Sequence, residues 1–158
     1  MEIKIKPAKK SDAYVLAKNM REDDAFEAKA LFGMTPINAA KYSIKHSHRA
    51  FTVTANGKVA CCFGINPASA LTDYGVIWML STDIIDSHPY HVVKYLQPEI
   101  SKLCEGYELV YNFVADRNKG MIKFLVQLGF TLEEPEKSGV YPNPFRKFYK
   151  VIECASGQ

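Results

Sequence analysis

The chain has 158 residues, 47% of them apolar and 23% charged, with a net charge of +3 from 20 Lys and Arg against 17 Asp and Glu. That composition suits one compact domain, residues 1–158, with a sizeable core, and so mild a charge argues against nucleic acid or an anionic membrane as a partner. No apolar run approaches the ~20 residues needed to span a bilayer, and the opening MEIKIKPAKK lacks a secretory apolar segment, so the expectation is an uncleaved protein made in the cytoplasm.

Residues 2–6, EIKIK, alternate as a strand does. Ser11 and Asp12 can cap a helix whose pattern runs to about Leu31, and Gly33 stops it. Thr35 and Pro36 open a second helix as N-cap and first residue, ending near His48. AFTVTA, 50–55, is a predicted strand, Asn56-Gly57 a hairpin turn, and KVACCFGI, 58–65, the returning strand. A connection over 66–75 leads to VIWMLST, 76–82, apolar enough for a central strand. Asp86 or Ser87 can then cap a helix carrying Val92, Val93, Leu96, Ile100 and Leu103, with a kink or an interruption predicted at Pro98 and an end at Gly106. ELVYNFVAD, 108–116, is a strand apolar on both faces, and 118–128 a helix with Gly129 just past its end. A strand near 130–133, a Pro-rich loop at 135–144 and a last strand, RKFYKVI at 146–152, complete the chain. The strand-helix-strand units in the middle imply a parallel pair and the hairpins an antiparallel remainder, hence an α/β (α+β) mixed sheet with helices on both faces.

Cys61, Cys62, Cys104 and Cys154 have no C-x-x-C spacing and read as reduced, mostly buried thiols. His46 and His48 lack a third ligand, so no metal site is expected. Tyr141, Phe145, Phe148 and Tyr149 crowd the last hairpin with Pro142 and Pro144, either as an interaction surface or, more commonly, as packing of the last strand.

From Val114 to Phe130 the sequence runs strand, Asn118, then a helix with Met121, Phe124, Leu128, Gly129 and Phe130 at fixed spacings. This resembles the last motif of the GNAT (Gcn5-related N-acetyltransferase) superfamily. The resemblance implies a largely antiparallel central sheet with a V-shaped splay. A second resemblance covers nearly the whole chain: DDAFEAKALFGMTPINA, WMLSTD, HPYHVVKYL, YNFVADRN, IKFLVQLGF and the late PNPF and RKF are similar to the GNAT-like internal virion proteins A of short-tailed phages. That family implies a protein made in the host cytoplasm and carried in the virion. Its partners would be other phage virion proteins and its role structural or in genome ejection.

The resemblance to GNAT enzymes also names the residues to inspect. The acyl slot would be backbone of Met79, Leu80, Ser81 and Thr82, and Asn118 could reach the CoA arm, although it is also a good helix N-cap, the favoured role. The Gly-rich phosphate turn corresponds to Asp86 through His91, where Ser87, Pro89 and His91 stand in glycine-like places. Pro89 removes an N–H donor there, and Asp83 and Asp86 add negative charge, so acetyl-CoA binding is expected to be weakened. The usual proton-donating tyrosine is replaced by Leu125. Asn112 could orient a substrate carbonyl or amine, or be a satisfied buried amide. Glu27, with Glu22, Asp23 and Asp24, could attract an amine, or belong to a solvated helix face. The leading expectation is a virion protein with a degenerate acyl-CoA site. The alternatives are an active acetyl-CoA-dependent N-acetyltransferase acting on a protein or small-molecule amine, and a CoA-binding module without turnover.

Overall fold

The computed structural model describes residues 1–137 and 143–153. The elements run β1 Ile3–Pro7, α1 Asp12–Lys18, α2 Glu22–Phe32, α3 Pro36–His46, β2 Arg49–Ala55, β3 Lys58–Pro67, β4 Tyr74–Ser81, α4 Ile84–Ser87, α5 Pro89–Leu103, β5 Leu109–Ala115, α6 Lys119–Gln127, β6 Thr131–Leu132, β7 Glu136–Lys137 and β8 Pro144–Val151. They form a single mixed sheet in the order β1-β2-β3-β4-β5-β8-β6, with β7 also paired to β8. Every pairing is antiparallel except β4 with β5.

Helices cover both faces. On one, α5, α6 and the residue that ends α6 press Val92, Leu96, Ile100, Leu103, Leu125 and Leu128 onto Val53, Cys61, Phe63, Ile65 and Ile77. On the other, Ala13, Leu16 and Ala40 of α1 and α3 meet Cys62, Trp78 and Leu80. The alternation of β3 and β4 sends successive side chains to these two cores, which is why neither strand has a polar face. Cys61, Cys62 and Cys104 are buried free thiols, and burial raises Cys62 and Cys104 to about 11. Phe145 and Phe148 are buried in the sheet, so at those positions the aromatic cluster is packing. Tyr141, Pro142 and Cys154 lie outside the described residues.

Two local signals act as expected. Asn56 and Gly57 take positive φ values, 50° and 80°, and turn β2 into β3. Thr35 accepts from the Asn38 N–H at 3.3 Å with Pro36 at the first helical position.

Four expectations need correction. The helical pattern from Asp12 to Leu31 is two helices, not one. At the break, Met20 forms an antiparallel bridge with Thr82, and the Arg21 N–H bonds the Ser81 carbonyl at 2.9 Å. Pairing with the end of β4 replaces the helical hydrogen bonds there. Ser11 precedes α1 without a side-chain cap; Asp12 instead accepts from the Lys9 N–H at 2.9 Å and from Thr52 Oγ1 at 2.8 Å. Finally, neither Asp86 nor Ser87 caps α5. A short turn, α4, comes first, His88 is the cap, and Pro89 takes the first helical position. Helix α5 then runs through Pro98 without interruption; that residue is on the solvent side, where the carbonyl it leaves unpaired can meet water.

Candidate functional site

Strands β4 and β5 pair only from Tyr74 to Val76 against Leu109 to Tyr111, then diverge. Asn112 stands at the apex of this fork. Its Nδ2 donates to the Ile77 carbonyl at 2.7 Å, and its Oδ1 accepts from the Phe113 N–H at 2.8 Å. Beyond it a cavity of about 460 Å³ passes between the strands. Ala28, Leu31, Phe32 and Tyr42 of α2 and α3 wall it on one side of the sheet, and Met121, Phe124 and Leu125 of α6 on the other. The walls are mostly apolar, with Asp24, Glu27 and Asn112 among the polar exceptions.

The register of β4 decides what the open edge offers. Thr82 donates to the Ala60 carbonyl, so even-numbered residues of β4 bond β3, and Ile77, Met79 and Ser81 turn their N–H and C=O toward the fork. Asn112 occupies the Ile77 carbonyl. Asp24 Oδ2 accepts from the Ser81 N–H at 2.7 Å, and the Arg21 N–H takes the Ser81 carbonyl. Met79 is left as the residue whose backbone faces the cavity.

The carboxylates of α2 split: Glu22 is exposed and Asp23 partly so, as a solvated face would have them, whereas Asp24 and Glu27 turn inward. Asp24 is 2% exposed, and burial pushes its carboxyl up to about 7 against the pull of Arg21. Arg21 spans the cluster: its guanidinium reaches Asp24 at 3.3 Å and Asp86 at 3.0 Å. Burial also raises Glu27, while the Asn118 amide and the Ala115 N–H oppose it. Both of those bonds, at 2.9 and 3.0 Å, fall on Oε1; among the described residues, no group bonds Oε2. Asn118 is fully buried, and its Oδ1 accepts from the Met121 N–H at 3.3 Å as the cap of α6.

Of the residues singled out from sequence, Glu27, Met79, Leu80 and Asn112 line the cavity, and Ser81, Thr82, Ser87 and Asn118 do not. Thr82 Oγ1 donates to the Val59 carbonyl at 2.9 Å. Ser87 Oγ donates to the Asp83 carbonyl at 3.4 Å. The Ser81 hydroxyl is buried and has no hydrogen-bond partner among the described residues. Leu125 is a core residue on the cavity wall and can donate no proton. The residue that sequence reading missed is Arg21. Its one signal was spacing, an arginine three residues before Asp24, because the break that places it is not visible in the helical pattern.

The segment that corresponds to a phosphate turn, Asp86 to His91, begins inside α4 and has Pro89 at the first position of α5. Pro89 lacks an N–H, and the Val92 N–H is spent on the His88 carbonyl at 3.1 Å. That leaves the N–H groups of Tyr90 and His91 at the helix start. The Asp86 carboxylate at its entry is bonded to Arg21.

No protein-family model matches the chain, and no curated protein sequence matches it. Solved structures do. One is yncA from Salmonella typhimurium, solved with its cofactor acetyl-CoA, at a TM-score of 0.71 and 11% identity over 100% of this chain and 98% of that one. An N-acetyltransferase from Staphylococcus aureus Mu50 matches at 0.71 and 14%, over 97% and 100%. A GNAT-family acetyltransferase from Streptococcus pneumoniae matches at 0.67 and 14%, over 96% and 100%. Nothing in these comparisons links the chain to phage virion proteins. At such identities the likeness speaks for architecture alone: the chain has the GNAT fold, with its mixed, mostly antiparallel sheet.

Proposed function

We propose that this chain keeps the GNAT fold without efficient acetyl-CoA-dependent transfer, and that it serves a structural or genome-ejection role among phage virion proteins, as its sequence resemblance implies. The observation that carries the first half is the start of α5. A pyrophosphate needs converging backbone N–H groups and no competing negative charge. Here Pro89 withdraws one donor and Asp86 places a carboxylate at the entry. The nearby cation, Arg21, is already shared between Asp24 and Asp86. These residues do not fit the pyrophosphate of acetyl-CoA. Leu125 in the proton donor's place supports the same reading. Mass spectrometry of purified particles tests the second half: the chain is expected among the virion proteins, and its absence from them would contradict that role.

A second reading, an N-acetyltransferase acting on a protein or small-molecule amine, is favoured by Glu27. Its Oε1 is pinned by two N–H donors while, among the described residues, Oε2 has none beside a mostly apolar cavity, an arrangement suited to receiving an ammonium group. A thiol-release assay with acetyl-CoA and a panel of primary amines decides it. Background rates are expected throughout; saturable turnover that Glu27→Gln abolishes would establish the second reading instead.

A further inference from the structure

An open strand edge inside a cleft is a template for any extended chain that carries amides, because such a chain can add to it as another strand would. Beyond Asn112, the edge of β4 presents Met79 and Ser81 to the fork. In this protein the Ser81 position is already taken, and by the chain itself.

We propose that residues 20–24 form an internal plug that competes with amide-bearing ligands for the edge of β4. The plug copies a partner strand. Met20 bridges Thr82, the Arg21 N–H bonds the Ser81 carbonyl at 2.9 Å, and the Asp24 carboxylate takes the Ser81 N–H at 2.7 Å as a strand carbonyl would. The guanidinium of Arg21 fastens it at both sides, to Asp24 at 3.3 Å and to Asp86 at 3.0 Å. The chain therefore spends one unbroken helix, which its sequence pattern favours, to place Asn19 through Arg21 against β4.

The plug can be opened without removing α2. That helix is held elsewhere, by Asp23 on Arg117 at 3.3 Å and by Glu27 on Ala115 and Asn118. Cutting back Asp24 frees the Ser81 N–H and leaves the Arg21 backbone bond in place. The ligand class that fits the opened edge is a linear molecule with secondary amides, one carbonyl for Ser81 and a further amide for Met79, two residues apart along one edge. The proposal rests on the reading of the fork as a ligand cleft that wild-type protein uses poorly. It does not depend on the phosphate turn.

The probe is therefore pantetheine, which has two amides and no phosphate, titrated into wild type, Asp24→Ala and Asp24→Asn and followed by amide chemical shifts. Affinity is expected to rise about tenfold in Asp24→Ala, near the worth of one regained hydrogen bond to a buried donor, with the largest shifts at Ser81 and Met79. Asp24→Asn keeps the side chain's volume and one acceptor but loses the charge, so it is expected to fall between the two, and it carries the test alone if Asp24→Ala does not fold. Equal affinity in wild type and variant overturns the plug. So does tight binding by wild type, since the edge would then be open. A parallel titration with CoA keeps the two readings apart: if the plug variant gains for pantetheine and gains nothing more from the phosphates of CoA, the plug stands and so does the poor fit of the turn at Asp86 to His91. If CoA binds far more tightly than pantetheine, the turn is competent and the plug still stands or falls on pantetheine alone.

Discussion

Asp24 shows how far a residue's surroundings can depart from its sequence neighbourhood. Among Glu22, Asp23 and Glu27 it reads as one more charge on a wet helix, yet it is the buried member, because the break before α2 turns that helix's first turn toward the end of β4. Its carboxyl is raised from 3.8 to about 7 by burial. A raised folded value means that the folded chain holds the proton more tightly than the unfolded one. The stability this contributes is fully present below the unfolded value and lost as pH rises through about 7. Glu27, also raised by burial, acts in the same direction. Urea midpoints at pH 5 and pH 8 are expected to show a drop in wild type and a smaller drop in Asp24→Asn; equal drops would show that Asp24 is not the group responsible. Leu125 was legible as a core position and as a missing acid, though not as cavity lining. Leu125→Ala is expected to cost about 2–3 kcal/mol in chemical denaturation, the lower part of the range for buried leucines, because one side already faces open space.

At the scale of elements, local chemistry was readable and competing contacts were not. The Thr35-Pro36 start and the Asn56-Gly57 turn depend on residues next to one another, and the structure has both. The split between α1 and α2 depends on β4, some sixty residues later in the chain, as the bond from Arg21 to Ser81 shows. No helical periodicity can register that. Pro89 and Pro98 gave opposite lessons: one starts a helix, the other is tolerated inside it on the solvent side. Asn118 joins two elements, capping α6 through Met121 and bonding α2 through Glu27. Asn118→Ala is expected to cost more than an ordinary cap, roughly 2–3 kcal/mol, since it leaves the Met121 N–H and the Glu27 carboxylate both short of a partner. Gly64 leaves no room for a side chain: an added Cβ would stand 2.7 Å from the Arg49 carbonyl oxygen and 2.8 Å from the Trp78 ring. Backbone cannot give way as a side chain can, so Gly64→Ala is expected to lower stability by about 1–3 kcal/mol or more, measured by thermal unfolding.

For the whole molecule, the order of strands and helices and the Asn118 to Phe130 spacing were enough to reach the mixed sheet and the GNAT likeness. The cavity was not legible, because it exists only where β4 and β5 part after Val76 and Tyr111. The same fork that would admit a ligand has its far edge held by Arg21 and Asp24 and its helix start altered by Pro89. The central claim is that this GNAT fold is unfit for acetyl-CoA. Calorimetry of the full chain with acetyl-CoA at high micromolar concentration tests it most directly. The account expects no saturable heat in that range, whereas a clear saturable isotherm would show that the turn at Asp86 to His91 and the held edge of β4 do accept the cofactor.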